Sequence, residues 1–125
     1  KTCYLPVLWR RNRLGFAACR EGGELTLNRF GIPEPVVPAR RLIPASALDL
    51  LLLPLVGFDV QGYRLGMGAG FYDRTLARRG RSFRWRRPRL VGVAYDFQRV
   101  PRIVPAPWDV ALDAIVTPTQ WYIPR

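Results

Sequence analysis

The run Arg64-Leu65-Gly66-Met67-Gly68-Ala69-Gly70-Phe71-Tyr72-Asp73 contains the residue types that phosphate chemistry needs. Glycine at alternate positions 66, 68 and 70 lets the backbone come close to a ligand and adopt positive φ. Successive N–H groups in such a turn form a concave nest for anions. Arg64 offers parallel donors to a phosphate. Asp73 offers a carboxylate to the divalent ion that travels with a nucleotide. A helix starting behind Gly70 would bring the positive end of its dipole to the same point. Together these features indicate phosphate binding with a metal. A tight strand-to-helix turn that binds nothing uses the same glycines, so both readings stand on these residues alone. The dinucleotide fingerprint G-x-G-x-x-G is absent, because the third glycine comes one residue early. Walker A is absent too, since no Gly-Lys-Ser/Thr occurs and Lys1 is the sole lysine.

Composition narrows the chemistry further. Histidine is absent, which removes Ser-His-Asp and Cys-His relays and every histidine metal ligand. Cys3 and Cys19 make neither a zinc pattern nor a disulfide framework, so a reduced, cytoplasmic setting is expected. The net charge is +11, and nearly all of the basic residues are arginine. A basic surface attracts nucleic acid, and it equally attracts ATP and polyanionic small molecules. The chain has 125 residues, 49% of them hydrophobic, which implies one domain over 1–125 with a real core. Leu50-Leu51-Leu52-Leu53 is too short to span a membrane, and no signal-peptide pattern opens the chain. The chain begins at Lys1 rather than at methionine, as a fragment or a processed chain would.

Several elements must position the glycine run. Thr2 to Leu8 reads as a first strand, limited by Pro6 to an edge or a strand end. Leu14 to Cys19 and Leu25 to Leu27 flank Glu21-Gly22-Gly23-Glu24, which predicts a hairpin between them. Gly31 to Pro38 must run extended, and Ala45 to Leu48 suggests a helical turn. Leu50 to Leu55 is continuously apolar, the pattern of a parallel strand buried on both faces. Val56 to Ala69 is then the loop at that strand's C-terminal end. Gly70 to Arg79 reads as a helix, with Tyr72 and Leu76 on one face and Gly80 as a cap. Leu90 to Tyr95 and Ala114 to Thr117 are further buried strands. This order predicts an α/β domain with its ligand beyond the strand C-termini.

Arg78 to Arg89 interleaves arginines with Phe83 and Trp85. Such a segment could track phosphates and stack bases. No RRM, KH or helix-turn-helix signature accompanies it, so a solvated loop is the preferred reading. Nucleic acid is not expected as a partner.

The glycine run lies in a longer pattern: Pro54-Leu55-Val56-Gly57-Phe58-Asp59, then Gly62-Tyr63-Arg64-Leu65-Gly66, leading into Gly68, Gly70, Phe71, Tyr72, Asp73 and Arg74. Upstream lie Tyr4-Leu5-Pro6 and Phe30-Gly31-Ile32-Pro33-Glu34-Pro35. Downstream lie Val91-Gly92-Val93-Ala94-Tyr95, Gln98, and Trp108-Asp109 leading to Asp113 and Val116-Thr117-Pro118. In this order the chain closely resembles the 5-formyltetrahydrofolate cyclo-ligase family, also called 5,10-methenyltetrahydrofolate synthetase, of the bacterial type. Members of that family are longer, and their N-terminal helical part has no counterpart here.

The resemblance implies a three-layer, Rossmann-like open sheet, mostly parallel, with a β-hairpin near the N-terminus (NagB/RpiA/CoA-transferase-like). It implies ATP- and Mg2+-dependent cyclisation of 5-formyltetrahydrofolate to 5,10-methenyltetrahydrofolate, with ADP and phosphate released. Arg64, Leu65, Gly66, Met67, Gly68, Ala69, Gly70, Phe71 and Tyr72 would form the ATP site, with Arg64 catalytic. Ala69 stands where the family often has glycine or lysine. Asp73 would bind the metal together with Asp113; read alone, Asp113 is a turn residue before a strand. Phe30, Met67 and Gly70 would face the folate, and Phe30 equally suits a core position. Glu34 could meet a pterin edge or lie on the surface, and Asp59 suits an Asx turn that shapes the loop. The family's N-terminal part supplies further ATP and folate contacts, and the complete enzyme is expected to be a monomer. A catalytically inactive nucleotide-binding relative and a basic nucleic-acid-binding module remain as other classes on the sequence alone.

Overall fold

A computed structural model of the chain describes residues 1–77 and 87–124. The strands in chain order are β1 (Tyr4–Trp9), β2 (Arg13–Ala18), β3 (Leu25–Leu27), β4 (Pro33–Pro35), β5 (Leu50–Leu53), β6 (Gly57–Phe58), β7 (Arg64–Leu65), β8 (Arg89–Val93), β9 (Ala114–Val116) and β10 (Trp121–Tyr122). The helix α1 (Phe71–Leu76) lies between β7 and β8. Short 3-10 turns occur at Ala39–Arg41, Ala45–Ala47 and Asp96–Gln98.

The apolar runs form the central sheet, in the order β10-β9-β8-β5. β5, β8 and β9 are parallel, and β10 turns back antiparallel beside β9. Leu51, Leu53, Leu90 and Ile115 face the core with Leu14, Phe16, Leu48, Phe58, Leu76 and Leu112. The fold is thus a mixed, mostly sheet α/β fold with a β-hairpin. One expectation fails here. β5 is a parallel strand, but it is not buried on both faces: Leu50 and Leu52 are 52% and 56% exposed while Leu51 and Leu53 are buried. Val93 on β8 is also exposed. An apolar run without polar alternation therefore gave the strand correctly and its burial wrongly, because no described element covers that face.

The hairpin exists with a different partner. β2 pairs with β1, from Tyr4↔Ala18 to Trp9↔Arg13, and not with β3. Its turn takes two successive left-handed residues, Arg11 (φ 59°) and Asn12 (φ 54°), without glycine. Asn tolerates this conformation because its side chain can bond locally. β3 pairs instead with β4. Gly22-Gly23 only makes a connecting turn, closed by the Gly23 N–H on the Arg20 carbonyl at 2.9 Å. Pro6 is tolerated inside β1 because it lies opposite Phe16, whose N–H and C=O both bond Ile43 on the other side.

The segment from β5 to α1 positions the glycine run. Gln98 clamps its start: its Nε2 donates to the carbonyls of Leu55 (3.0 Å) and Val56 (3.2 Å), and its Oε1 accepts from the Tyr95 N–H. β6 and β7 then form a small antiparallel ribbon. Asp59 fixes the turn between them. Its Oδ1 accepts from the Gln61 and Tyr63 N–H groups, and its Oδ2 from the Ile103 N–H at 2.8 Å. The Asx turn expected at Asp59 is present, and the residue is 1% exposed. α1 begins at left-handed Gly70 (φ 72°) and buries Leu76 in the core. Among the described residues α1 ends at Leu76, and the rest of the expected helix with its cap, Arg78 to Gly80, lies outside them.

Candidate active site

Arg64 leaves β7 with its side chain only 8% exposed, and its Nη2 stands 3.5 Å from Asp73 Oδ1. The guanidinium also lies over the Tyr72 ring, 5.6 Å from its centre. One arginine therefore joins the strand before the glycine loop to the helix after it. A Cβ on Gly66 would come 2.9 Å from Arg64 Nη1, so a side chain there would have to move the guanidinium. Gly68 (φ 93°) and Gly70 (φ 72°) have left-handed backbones that a side chain would strain. Arg74 closes the loop from outside, with its Nη2 on the Ala69 carbonyl and its Nε on the Asn12 carbonyl at 2.8 Å. Thr75 fastens α1 to the hairpin: its hydroxyl accepts from the Leu14 N–H at 2.8 Å and donates to the Phe71 carbonyl.

Burial pushes the Asp73 carboxyl above its ordinary range, Arg64 pulls it back, and the charge of Asp109 pushes it up again. Burial likewise raises the Tyr72 hydroxyl, against the pull of Arg64. The charge of Asp109 thus acts on Asp73, an influence that sequence reasoning did not single out. Asp109 Oδ2 accepts from the Ala106 N–H, which fixes it in a turn. Asp113 is bonded to the backbone of Leu90. Its Oδ2 accepts from the Leu90 N–H at 2.8 Å, and its own N–H donates to the Leu90 carbonyl, at the entry of β8 and β9. Among the described residues, no group of three or more Asp, Glu, Cys or His side chains gathers to hold a metal.

Phe30 comes to the loop from the β3–β4 turn. Its ring meets Phe71 edge-on, and Arg29 lies over both rings at 5.0 and 5.8 Å. Asn28 builds that turn, its Oδ1 accepting from the N–H groups of Phe30 and Ile32. Glu34 is a scaffold residue: its Oε2 accepts from the Leu8 N–H at 2.7 Å and from Asn28 Nδ2 at 3.0 Å. Met67 projects from the loop at 91% exposure, and Leu65 is half-exposed on β7. A cavity of about 420 Å³ lined by Lys1, Asp49, Arg87 and Arg89 lies at the opposite edge, where β5 and β8 begin, away from the glycine loop.

Residues 1–118 match the family model for the 5-formyltetrahydrofolate cyclo-ligase family. The chain belongs to that family. It is 43% identical over 122 residues to the 5-formyltetrahydrofolate cyclo-ligase of Escherichia coli (strain K12), covering 96% of this chain and 65% of that protein. It is 40% identical over 116 residues to the cyclo-ligase of Haemophilus influenzae, covering 90% of this chain and 59% of that protein. The NMR structure of Aquifex aeolicus 5,10-methenyltetrahydrofolate synthetase superposes with a TM-score of 0.78 at 33% identity, over 100% of this chain and 59% of that one. The chain therefore spans about two thirds or less of the length of these cyclo-ligase relatives. No helix among the described residues is long and apolar enough to cross a membrane.

Proposed function

We propose that the protein containing this chain is an ATP-dependent 5-formyltetrahydrofolate cyclo-ligase, and that 1–125 is one cyclo-ligase domain of it. The observation that carries this reading is the pairing of Arg64 with Asp73 across the glycine loop, with the Phe30–Phe71 wall beside it. The β10-β9-β8-β5 sheet is read as the central layer of a three-layer, NagB/RpiA/CoA-transferase-like fold. The substrates are small molecules, ATP and 5-formyltetrahydrofolate, and the setting is cytoplasmic.

The donor set fits magnesium. Mg2+ takes one or two protein carboxylates and completes its shell with water and phosphate oxygens. Asp73 is one such carboxylate, and Asp109, whose negative charge raises the Asp73 pKa, is proposed as the second. Asp113 is assigned in this reading to fixing the entry of β8 and β9. A bound magnesium would neutralise phosphate charge. Arg64 and the loop N–H groups would hold the triphosphate and stabilise charge on the group in transfer.

A formamide oxygen is a poor leaving group. Transfer of the γ-phosphoryl group to it makes an iminium phosphate and ADP. N10 of the folate then attacks the iminium carbon; the C–N bond forms, the C–O bond breaks, and phosphate departs while N10 gives up its proton. No protein nucleophile is required, in keeping with a chain that lacks histidine. What the residues supply is orientation and charge. The test is absorbance detection of methenyl-folate with ATP, magnesium and 5-formyltetrahydrofolate. Signal that needs all three supports the reading. Tight Mg-ATP binding with no product from purified full-length protein overturns it in favour of an inactive relative.

A further inference from the structure

Cys3 and Cys19 have no part in the reading above, yet the fold sets them opposite each other. The β1–β2 register Tyr4↔Ala18 continues one step outward to this pair. The Cys19 N–H donates to the Cys3 carbonyl at 2.8 Å. Residues directly opposite in an antiparallel ladder share a face of the sheet. At a hydrogen-bonded pair their α-carbons stand about 5.5 Å apart. That lies inside the range of roughly 4.4–6.8 Å that a disulfide spans. Both cysteines are free and exposed. Their spacing in sequence concealed this, because only the Arg11-Asn12 turn brings the two together.

We propose that Cys3 and Cys19 form a cross-strand dithiol that oxidises reversibly to an intramolecular disulfide by exchange with a small disulfide. One thiolate attacks a sulfur of the oxidant RSSR, breaking its S–S bond and releasing RS⁻. The second thiolate then attacks the mixed disulfide and releases the other RS⁻. In sum, two protein thiols and RSSR give one protein disulfide and two RSH. The two electrons and two protons leave with the RSH products, so no further oxidant is needed. Lys1 and Arg20 flank the pair in sequence and favour an anionic oxidant such as oxidised glutathione. An exposed bridge of this kind remains open to reduction and suits a reversible role.

Position determines what closure does. The turn end of the hairpin is already tied to α1 through Arg74 on Asn12 and Thr75 on Leu14. The cysteine pair lies at the other, open end. A bridge there stops β1 fraying from β2 and leaves the glycine loop untouched.

The experiment equilibrates reduced protein with graded ratios of oxidised to reduced glutathione, alkylates it, and reads digested and intact mass. Joint loss of both thiols is expected, with peptides 2–10 and 14–20 linked, a single-chain species, and full recovery on reduction. Cys3→Ser and Cys19→Ser should each stop at one mixed disulfide. Amide exchange at Cys19 should slow several-fold on oxidation while α1 is unchanged. Wild-type protein that stops at two mixed disulfides, or that links chain to chain, overturns the proposal.

Discussion

Phe30 stands edge-on to Phe71, with ring centroids 5.8 Å apart and planes 79° apart. A residue of the β3–β4 turn and the first residue of α1 thus share one aromatic wall beside the glycine loop. Phe30 is 54% exposed, so much of its ring is available to a flat ligand. Phe30→Ala is expected to raise the KM for 5-formyltetrahydrofolate about 10-fold, the size of an aromatic contact plus its lost area. The KM for ATP should change by less than about two-fold, since the phosphate contacts are untouched. Steady-state kinetics with each substrate varied checks this. An equal rise in both would assign Phe30 to folding and not to the folate.

Asp73 makes a pH prediction. Its folded pKa stands above the ordinary 3.8, first through burial and then, against the pull of Arg64, through Asp109. A group raised in this way stabilises the fold fully below its unfolded pKa, and that contribution is lost as pH rises through the folded value. At neutral pH, ionised Asp73 therefore works against folding. Asp73→Asn should melt higher than wild type at pH 7 and show no advantage at pH 3. It should also lose most of its turnover, about 2–4 kcal/mol of transition-state stabilisation. Calorimetry at both pH values, with the folate assay alongside, reads both effects. An Asn variant less stable at pH 7 contradicts the account.

Asp109 is separable from Asp73. In metal-free protein, Asp109→Asn removes a neighbouring negative charge, so NMR titration should find the Asp73 carboxyl moved down towards its ordinary value. In the same variant the magnesium needed for half-maximal rate should rise about ten-fold or more, as loss of a carboxylate near the ion implies. Asp113→Asn should leave both readings close to wild type. If Asp113 and not Asp109 moved them, the placement of the metal would be wrong.

The strands were legible wherever apolar runs met turn residues, as at Leu50–Leu53 and Ala114–Val116. Pairing was less legible. Gly22-Gly23 permits a tight turn, but a permitted turn does not choose a partner. The partner is set by burial of Leu14 and Phe16 and by a left-handed Arg11-Asn12 turn that carries no glycine signal. At the site, Arg64 and Asp73 could be read because they belong to one local run. Asp113 was picked out by resemblance alone and Asp109 was not singled out, since neither belongs to that run. The backbone bonds of Asp113 with Leu90 and the charge of Asp109 on Asp73 depend on the fold. The Gln98 clamp was invisible for the same reason: its partners, Leu55 and Val56, are backbone carbonyls of a distant loop.

Gly92 on β8 is buried and closely packed. A Cβ there would stand 2.7 Å from Leu112 Cδ1 and 2.9 Å from Leu55 Cδ2. Gly92→Ala should therefore destabilise by about 1–3 kcal/mol through overpacking. Urea unfolding checks the value. The partner change Leu112→Val in the same chain should recover part of the loss, because it removes bulk at the same point. A double variant that is simply the sum of its singles would mean that the strain arises elsewhere.

Asp59 separates the scaffold from the chemistry. Its carboxylate touches no proposed ligand, yet it holds the turn that leads into Arg64. In Asp59→Asn, one oxygen can still accept from the Gln61 and Tyr63 N–H groups. The new amide then faces the Ile103 N–H, donor against donor, which should cost about 1–3 kcal/mol for one unsatisfied buried group. Asp59→Ala removes all three acceptor contacts. Gln61 is exposed and water can replace its bond, so the loss falls mainly on Tyr63 and Ile103, on the order of 2–4 kcal/mol. The Ala variant should therefore unfold at lower urea than the Asn variant, and both below wild type. Because the turn feeds Arg64, Mg-ATP affinity should fall in the same order under conditions where each variant is still folded. If Mg-ATP affinity stays at the wild-type level in a folded Asp59→Ala protein, the turn does not set the position of Arg64, and the glycine loop is held by α1 and Arg74 alone.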